Sequence, residues 1–196
     1  MNPALENSSS SSTTTERRLR PWLPHVVALA VCGAVLAIAI VGITYLGRFH
    51  AFRVSSDSMA PTFSSGDKIF ADETYYAHHP IADGDLIVFR HNDFILVKRV
   101  TAMAGETVAI TNGTVLRNGL ALNEPYIQHS GPPLTYADTV PARVVPAGEL
   151  FVTGDNRDHS LDSRLPDEFG VVKTSDVVGK ATAVYWSEHG QIGRRF

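Results

Sequence analysis

Two residues of this chain combine the types and surroundings needed for nucleophilic catalysis. One is Ser58, in the run Ser56-Asp57-Ser58-Met59-Ala60-Pro61-Thr62; the other is Lys98. A serine hydroxyl becomes a useful nucleophile only when a base removes its proton, and a lysine can be that base only while its amine is neutral. Lys98 follows Ile95-Leu96-Val97 and precedes Arg99-Val100, and desolvation in apolar surroundings disfavours the ammonium form. Of the four lysines, Lys68, Lys98, Lys173 and Lys180, it alone sits in such a run. Together the two residues form a candidate Ser-Lys dyad, one of the variants of the serine-nucleophile arrangement. Pro61 removes a backbone donor and stiffens the turn that would hold the hydroxyl. Taken alone, the pair leaves blander readings open: a turn serine and a solvated strand lysine.

A third stretch changes that balance: Gly154-Asp155-Asn156-Arg157-Asp158-His159-Ser160-Leu161-Asp162-Ser163-Arg164. With it, the chain resembles the bacterial type I signal peptidases, membrane-bound Ser-Lys proteases that remove secretory signal peptides. Their pattern joins Ser-x-Ser-Met-x-Pro-Thr, a lysine ending an apolar strand before Arg-Val, and a Gly-Asp-Asn-Arg-Asp-x-Ser-x-Asp-Ser-Arg run. All three stand here in that order, and the resemblance covers roughly residues 20 to 187. It implies Ser58 as nucleophile and Lys98 as general base, with cleavage through an acyl-enzyme. It also implies that Ser56 lends a hydroxyl to the oxyanion hole beside the Ser58 N–H, and that Ser160 orients the lysine. Asp162 and Arg164 would form a nearby ion pair, and Asp155 and Arg157 would stiffen the same loop. The implied substrates are secretory precursors with small residues just before the cut and two positions further back. No metal or cofactor is called for. The sequence departs from one common family form in carrying Ser55 for a proline and Asp57 for a glycine. His159 replaces an asparagine seen in part of the family; it invites a Ser-His reading, but Lys98 holds the position where His-type relatives carry their base.

Composition bounds these readings. The chain has 196 residues, room for one soluble domain and an anchor. Its single cysteine, Cys32, excludes intrachain disulfides and thiolate zinc clusters. The net charge of −3 divides into +2 over residues 1–50 and −5 over residues 51–196, and a mildly acidic main part argues against nucleic acid as a partner. His78-His79 lacks further ligands at metal spacing and reads as a surface pair.

The first twenty residues read as a disordered tail, with the polar run Asn7 to Thr15 followed by Arg17, Arg18 and Arg20. No Lys, Arg, Asp or Glu then occurs until Arg48, and Val26 to Leu46 is almost wholly apolar, long enough for a bilayer core. Residues 21–47 are therefore expected to be a single transmembrane anchor, with Trp22 and Tyr45 at its interfaces. The basic excess before the span places the N-terminus in the cytoplasm and residues 48–196 outside it, at a bacterial plasma membrane. A cleaved signal peptide is the competing reading; the run is long for one. Gly33 and Ala37 could pack against another helix, though lipid-facing small residues explain them as well.

What must position the dyad is an all-β domain, barrel-like or sandwich-like. Short runs rich in Val, Ile and Phe alternate with turn residues from Ala51 to Trp186. Asn112-Gly113 and Asn118-Gly119 mark a meander over Thr107 to Leu122. Residues 123–148, with five prolines, are the least regular, and only Ser175 to Val178 suggests a helical turn. On a strand through Lys98, Arg99 points to the opposite face and is expected to make a structural ion pair. Two other functions compete: a different Ser-Lys protease, such as a self-cleaving regulator, and a tethered β-domain that binds exported partners without cutting them. The anchor and the Gly154 to Arg164 run argue against the first, and the intact Ser58, Lys98 and Ser160 set against the second.

Overall fold

Apolar residues without helical period dictate the one long helix. Helix α1, Leu23–Leu46, has a mean hydropathy of 2.9 over Pro24–Ile43, and its apolar side chains face outward on every side, among them Leu29, Ile38 and Ile43. A helix apolar all round suits lipid rather than a core on one face, and this one is long enough to cross a membrane. The computed structural model describes residues 22–131 and 137–196, so the polar tail, the three arginines and Pro132-Pro133 lie outside the described residues. The chain divides between Thr44 and Tyr45 into two compact units, the first with most of α1 and the second with every strand.

The strands form two antiparallel sheets, as the alternating pattern requires. In chain order they are β1 (Phe49–Arg53), β2 (Lys68–Asp72), β3 (Leu86–His91), β4 (Phe94–Met103), β5 (Thr107–Thr111), β6 (Thr114–Arg117), β7 (Leu120–Ala121), β8 (Val140–Val144), β9 (Glu149–Thr153), β10 (Val172–Lys173) and β11 (Val177–Trp186). The larger sheet runs β1-β2-β11-β3-β4-β9-β10, the smaller β7-β6-β5-β8. Asn112-Gly113 and Asn118-Gly119 turn the expected meander with positive φ at both residues of each pair, the geometry for which Asn-Gly is selected. The short strand β10 and two further elements escape the sequence pattern. Tyr75–His78 forms a single helical turn, α2, and β8 forms inside the proline-rich segment, where Pro141 occupies a strand position. The helical hint near Ser175 is a 3-10 turn over Thr174–Asp176.

β3 explains how the larger sheet is held. Its run Leu86-Ile87-Val88-Phe89 is buried on both faces. Leu86 and Val88 join Val54, Met59, Phe63, Ile69, Ala71, Ala181 and Val184 in one core, and Ile87 and Phe89 join Val100, Leu150, Val152, Phe169 and Val172 in another. A third core packs Phe151 and Ala102 of the larger sheet against Val108, Ile110, Val115 and Val140 of the smaller. β4 is the strand that matters for chemistry. Its first half, Phe94 to Lys98, pairs only with β3; from Arg99 onward it also pairs with β9.

Candidate active site

The turn that carries Ser58 is fixed from below. Ala60 N–H donates to Asp57 O and Phe63 N–H to Met59 O, and the side chains of Met59 and Phe63 are fully buried in the first core. Two core anchors one helical turn apart leave Ser58 little freedom. Lys98 enters from β4, where it pairs with Ile87, and is 3 % exposed. Its Nζ lies 2.7 Å from Ser58 Oγ and 3.0 Å from Ser160 Oγ. Ser56 Oγ stands 3.2 Å from Ser58 Oγ. All eight residues singled out from the sequence as catalytic or supporting, Arg157 among them, gather on the nucleophile turn, on β4 and on the loop between β9 and β10.

Burial pushes the Lys98 amine down to about 8, opposed by the charges of Asp162 and Asp155 and reinforced by that of Arg164. Ile95 is 45 % exposed and Val97 only half-buried, whereas the loop residues brought against the amine, Ser160 and Asp162, are wholly buried. Asp162 is held below the usual carboxylate range. Its complete burial works the other way, but the charge and hydrogen bonds of Arg164, the charge of Lys98 and the Gly154 N–H together outweigh it. Arg164 Nε donates to Asp162 Oδ1 at 2.8 Å, and its Nη2 also reaches the carbonyls of Arg157 and Ser160.

The three segments are tied by one carboxylate. Asp155 accepts from Thr62 Oγ1 of the nucleophile turn at 2.6 Å and, through both oxygens, from Arg99 of β4 at 2.8 and 2.6 Å. Such bidentate, charge-assisted pairing fixes orientation as well as distance. Arg99 therefore does leave the site for a structural ion pair, on the face opposite Lys98, as strand alternation requires. The ring of Tyr126 stacks under its guanidinium, 3.8 Å from the centroid.

Several contributors were invisible in the sequence. Residues 124–131 run along the 154–164 loop as a strap. Gln128 N–H donates to Asp155 O, Arg157 N–H donates to Gln128 O, Arg157 pairs with buried Glu124, and Asp158 accepts from the Gly131 N–H. Arg157 thus stiffens the loop by reaching the strap. Asn156 donates its backbone N–H to Ser58 O and its side-chain amide to Asp57 O. Gly154 lies so close to both partners that a Cβ there would meet Ser160 Oγ at 2.2 Å and Ser58 O at 2.4 Å.

Comparison with known proteins points to one family. The family described as signal peptidase, peptidase S26, matches residues 26–186. The chain belongs to that family. It is 33 % identical over 187 residues to the probable signal peptidase I-1 of Synechocystis sp., covering 88 % of this chain and 89 % of that one. It is 34 % identical over 163 residues to the signal peptidase I of Bacillus caldolyticus, with 77 % and 87 % covered. A crystal structure of a signal peptidase I from Enterococcus faecalis shares 32 % identity, with a TM-score of 0.44, and spans 52 % of this chain and 97 % of the other. Mainly β architecture and an N-terminal apolar helix are thus features of a signal peptidase family member here.

Beside Ser58 a small cavity of about 90 Å³ opens between the chain from Phe52 to Ser56 and the half-paired Ile95-Leu96-Val97-Lys98 stretch of β4, with Ile69 and Val88 in its wall. Because a Cβ at 154 must displace Ser160 or the Ser58 carbonyl, Gly154→Ala is expected to cut turnover at least tenfold while the domain stays folded. Side-by-side circular dichroism and peptide-cleavage assays check this, and full activity would show that the close approach has no bearing on the site.

Proposed function

We propose that this chain is a serine endopeptidase that removes N-terminal signal peptides from exported precursor proteins, with Ser58 as nucleophile and Lys98 as general base. The observation that carries the reading is the 2.7 Å contact between a buried amine and a serine hydroxyl, in a member of this family. The neutral amine takes the Ser58 proton as Oγ bonds to the scissile carbonyl carbon, and the ammonium so formed returns that proton to the departing amine nitrogen. Water then attacks the acyl-enzyme, passing its proton through Lys98 back to Ser58 Oγ. Ser160 holds the amine on line. The developing oxyanion is assigned to the Ser58 N–H and the Ser56 hydroxyl, which swings from Ser58 Oγ to the new charge. Asp155, Asp162 and Arg164 keep the three segments in register and touch no reacting atom.

The precursor binds as an extended strand. Residues 94–98 of β4 are paired on one side only, and an unpaired strand edge is a template for a peptide backbone. The 90 Å³ cavity along that edge, with Val54, Ile69, Val88 and Ile95 in its wall, suits a small side chain before the cut. The working parts are residues 1–20 as a cytoplasmic tail, 21–47 as a single-pass anchor in the bacterial plasma membrane, and 48–196 as the extracytoplasmic catalytic domain. Support comes from the all-round apolar α1 and from the basic excess before it. No cofactor enters any step.

Ser58→Ala and Lys98→Met are each expected to reduce cleavage of a precursor peptide bearing Ala-x-Ala by about a thousandfold or more. The double variant should be no worse than either single, because members of one catalytic unit are not additive. Measured rates on the purified, detergent-solubilised protein decide this; appreciable turnover in Ser58→Ala removes the nucleophile assignment. Protease added to spheroplasts is expected to digest residues 48–196 and spare an epitope placed at residue 2. The opposite protection pattern reverses the orientation.

A further inference from the structure

The nucleophile turn faces a second depression that the proposed reaction leaves unused. This groove, of about 500 Å³, is lined by Ser56, Asp57, Ala60, Gln128, Ser130, Asn156 and His159, within the size range of ligand sites. Its lining shares only Ser56 with the cavity beside β4, so the two meet at the nucleophile from different sides. A chain whose residues before the cut lie along β4 must continue past Ser58, and this groove is what it meets.

Polar side chains from the nucleophile turn, the strap and the 154–164 loop wall this groove. Asp57 stands on the nucleophile turn, exposed, with Oδ1 accepting the Ser65 N–H at 2.8 Å. Its Oδ2 has no hydrogen-bond or ion-pair partner among the described residues. Gln128 and Ser130 come from the strap, and Ser130 Oγ donates to Asn156 Oδ1. His159 forms the rim, its ring against Gly131, where a Cβ would come 2.7 Å from Nε2. No Lys or Arg lines the groove. Just behind it Arg157 pairs with Glu124, and the buried Asp158 accepts from the Gly131 N–H and contacts His129 Nδ1. Asp57 is the one carboxylate in the lining of the groove, and no cationic side chain among the described residues pairs with it.

Resting on the peptidase reading, we infer that this groove receives the first residues after the cut and that Asp57 selects among them by charge, favouring Lys or Arg over Asp or Glu. A single partly solvated carboxylate gives a modest discrimination that salt weakens.

The test uses the full-length protein in detergent and peptides that are identical before the cut, with Lys, Gln or Glu placed in turn at each of the first three positions after it. The expected result is a Lys-over-Glu ratio of kcat/KM of about three- to tenfold at one or more positions, shrinking toward unity at 0.5 M salt. Asp57→Asn keeps the acceptor for Ser65 and should flatten the ratio at low salt; Gln128→Lys, on the strap side of the groove, should lower or invert it. A wild-type ratio of one, or a ratio that neither variant moves, overturns the inference while leaving the peptidase reading in place. Failure of the wild-type protein to cut any of these peptides overturns both.

Discussion

A lysine amine taken out of water is the constraint that the rest of this domain serves. Burial alone makes the ammonium form costly, so Lys98 can be useful only if its surroundings neither leave the neutral amine without partners nor restore the charge completely. Two hydroxyls, on Ser58 and Ser160, supply the partners. Burial is the largest influence on the amine, and the charges oppose one another: Asp162 and Asp155 favour the ammonium, Arg164 opposes it. Asp162 has its own arginine and Asp155 has Arg99, so neither carboxylate is free to act on the amine alone. Removing either arginine would do two things at once: leave a buried carboxylate unpaired, a strongly destabilising change, and draw a proton onto Lys98.

Geometry follows from the same arrangement. Ser58, Lys98 and Ser160 come from three segments far apart in sequence, and three devices hold them together. The side chains of Met59 and Phe63 fasten the nucleophile turn to the core, the Asp155 carboxylate joins that turn to β4, and the strap from Glu124 to Gly131 backs the loop that holds Ser160. β9 pairs with β4 only from Arg99 onward, which leaves the edge from Phe94 to Lys98 unpaired on that side.

Much of this was legible from the residues. Asn-Gly pairs marked the hairpins, alternation placed Arg99 opposite Lys98, and the run from Gly154 to Arg164 carried the family resemblance that implied Ser160, Asp162 and Arg164 as supporting groups. What escaped reading has a common cause. The distant 154–164 loop brings wholly buried Ser160 and Asp162 against Lys98, a contribution that local hydrophobicity does not record. Gly154 is required by the approach of Ser160 and the Ser58 carbonyl, a contact between segments that no local pattern records. The strand β8 and the strap lie in a proline-rich stretch that looks irregular because its order depends on partners elsewhere. Tyr126 and Glu124 likewise acquire meaning only once Arg99 and Arg157 are seen beside them.

The central claim is that Lys98 works as a neutral amine, and its own titration tests that most directly. With only four lysines in the chain, the Nζ of Lys98 can be assigned in a ¹⁵N-lysine-labelled sample by comparison with Lys98→Ala and followed by NMR from pH 6 to 11, alongside kcat/KM for one precursor peptide. The expected outcome is a titration at about 8 and a rate that rises through the same midpoint, gaining about tenfold between pH 7 and its plateau because roughly a tenth of the amine is neutral at pH 7. A Lys98 titration near the ordinary lysine value of about 10.4, or a rate that stays flat while Lys98 loses its proton, would contradict it.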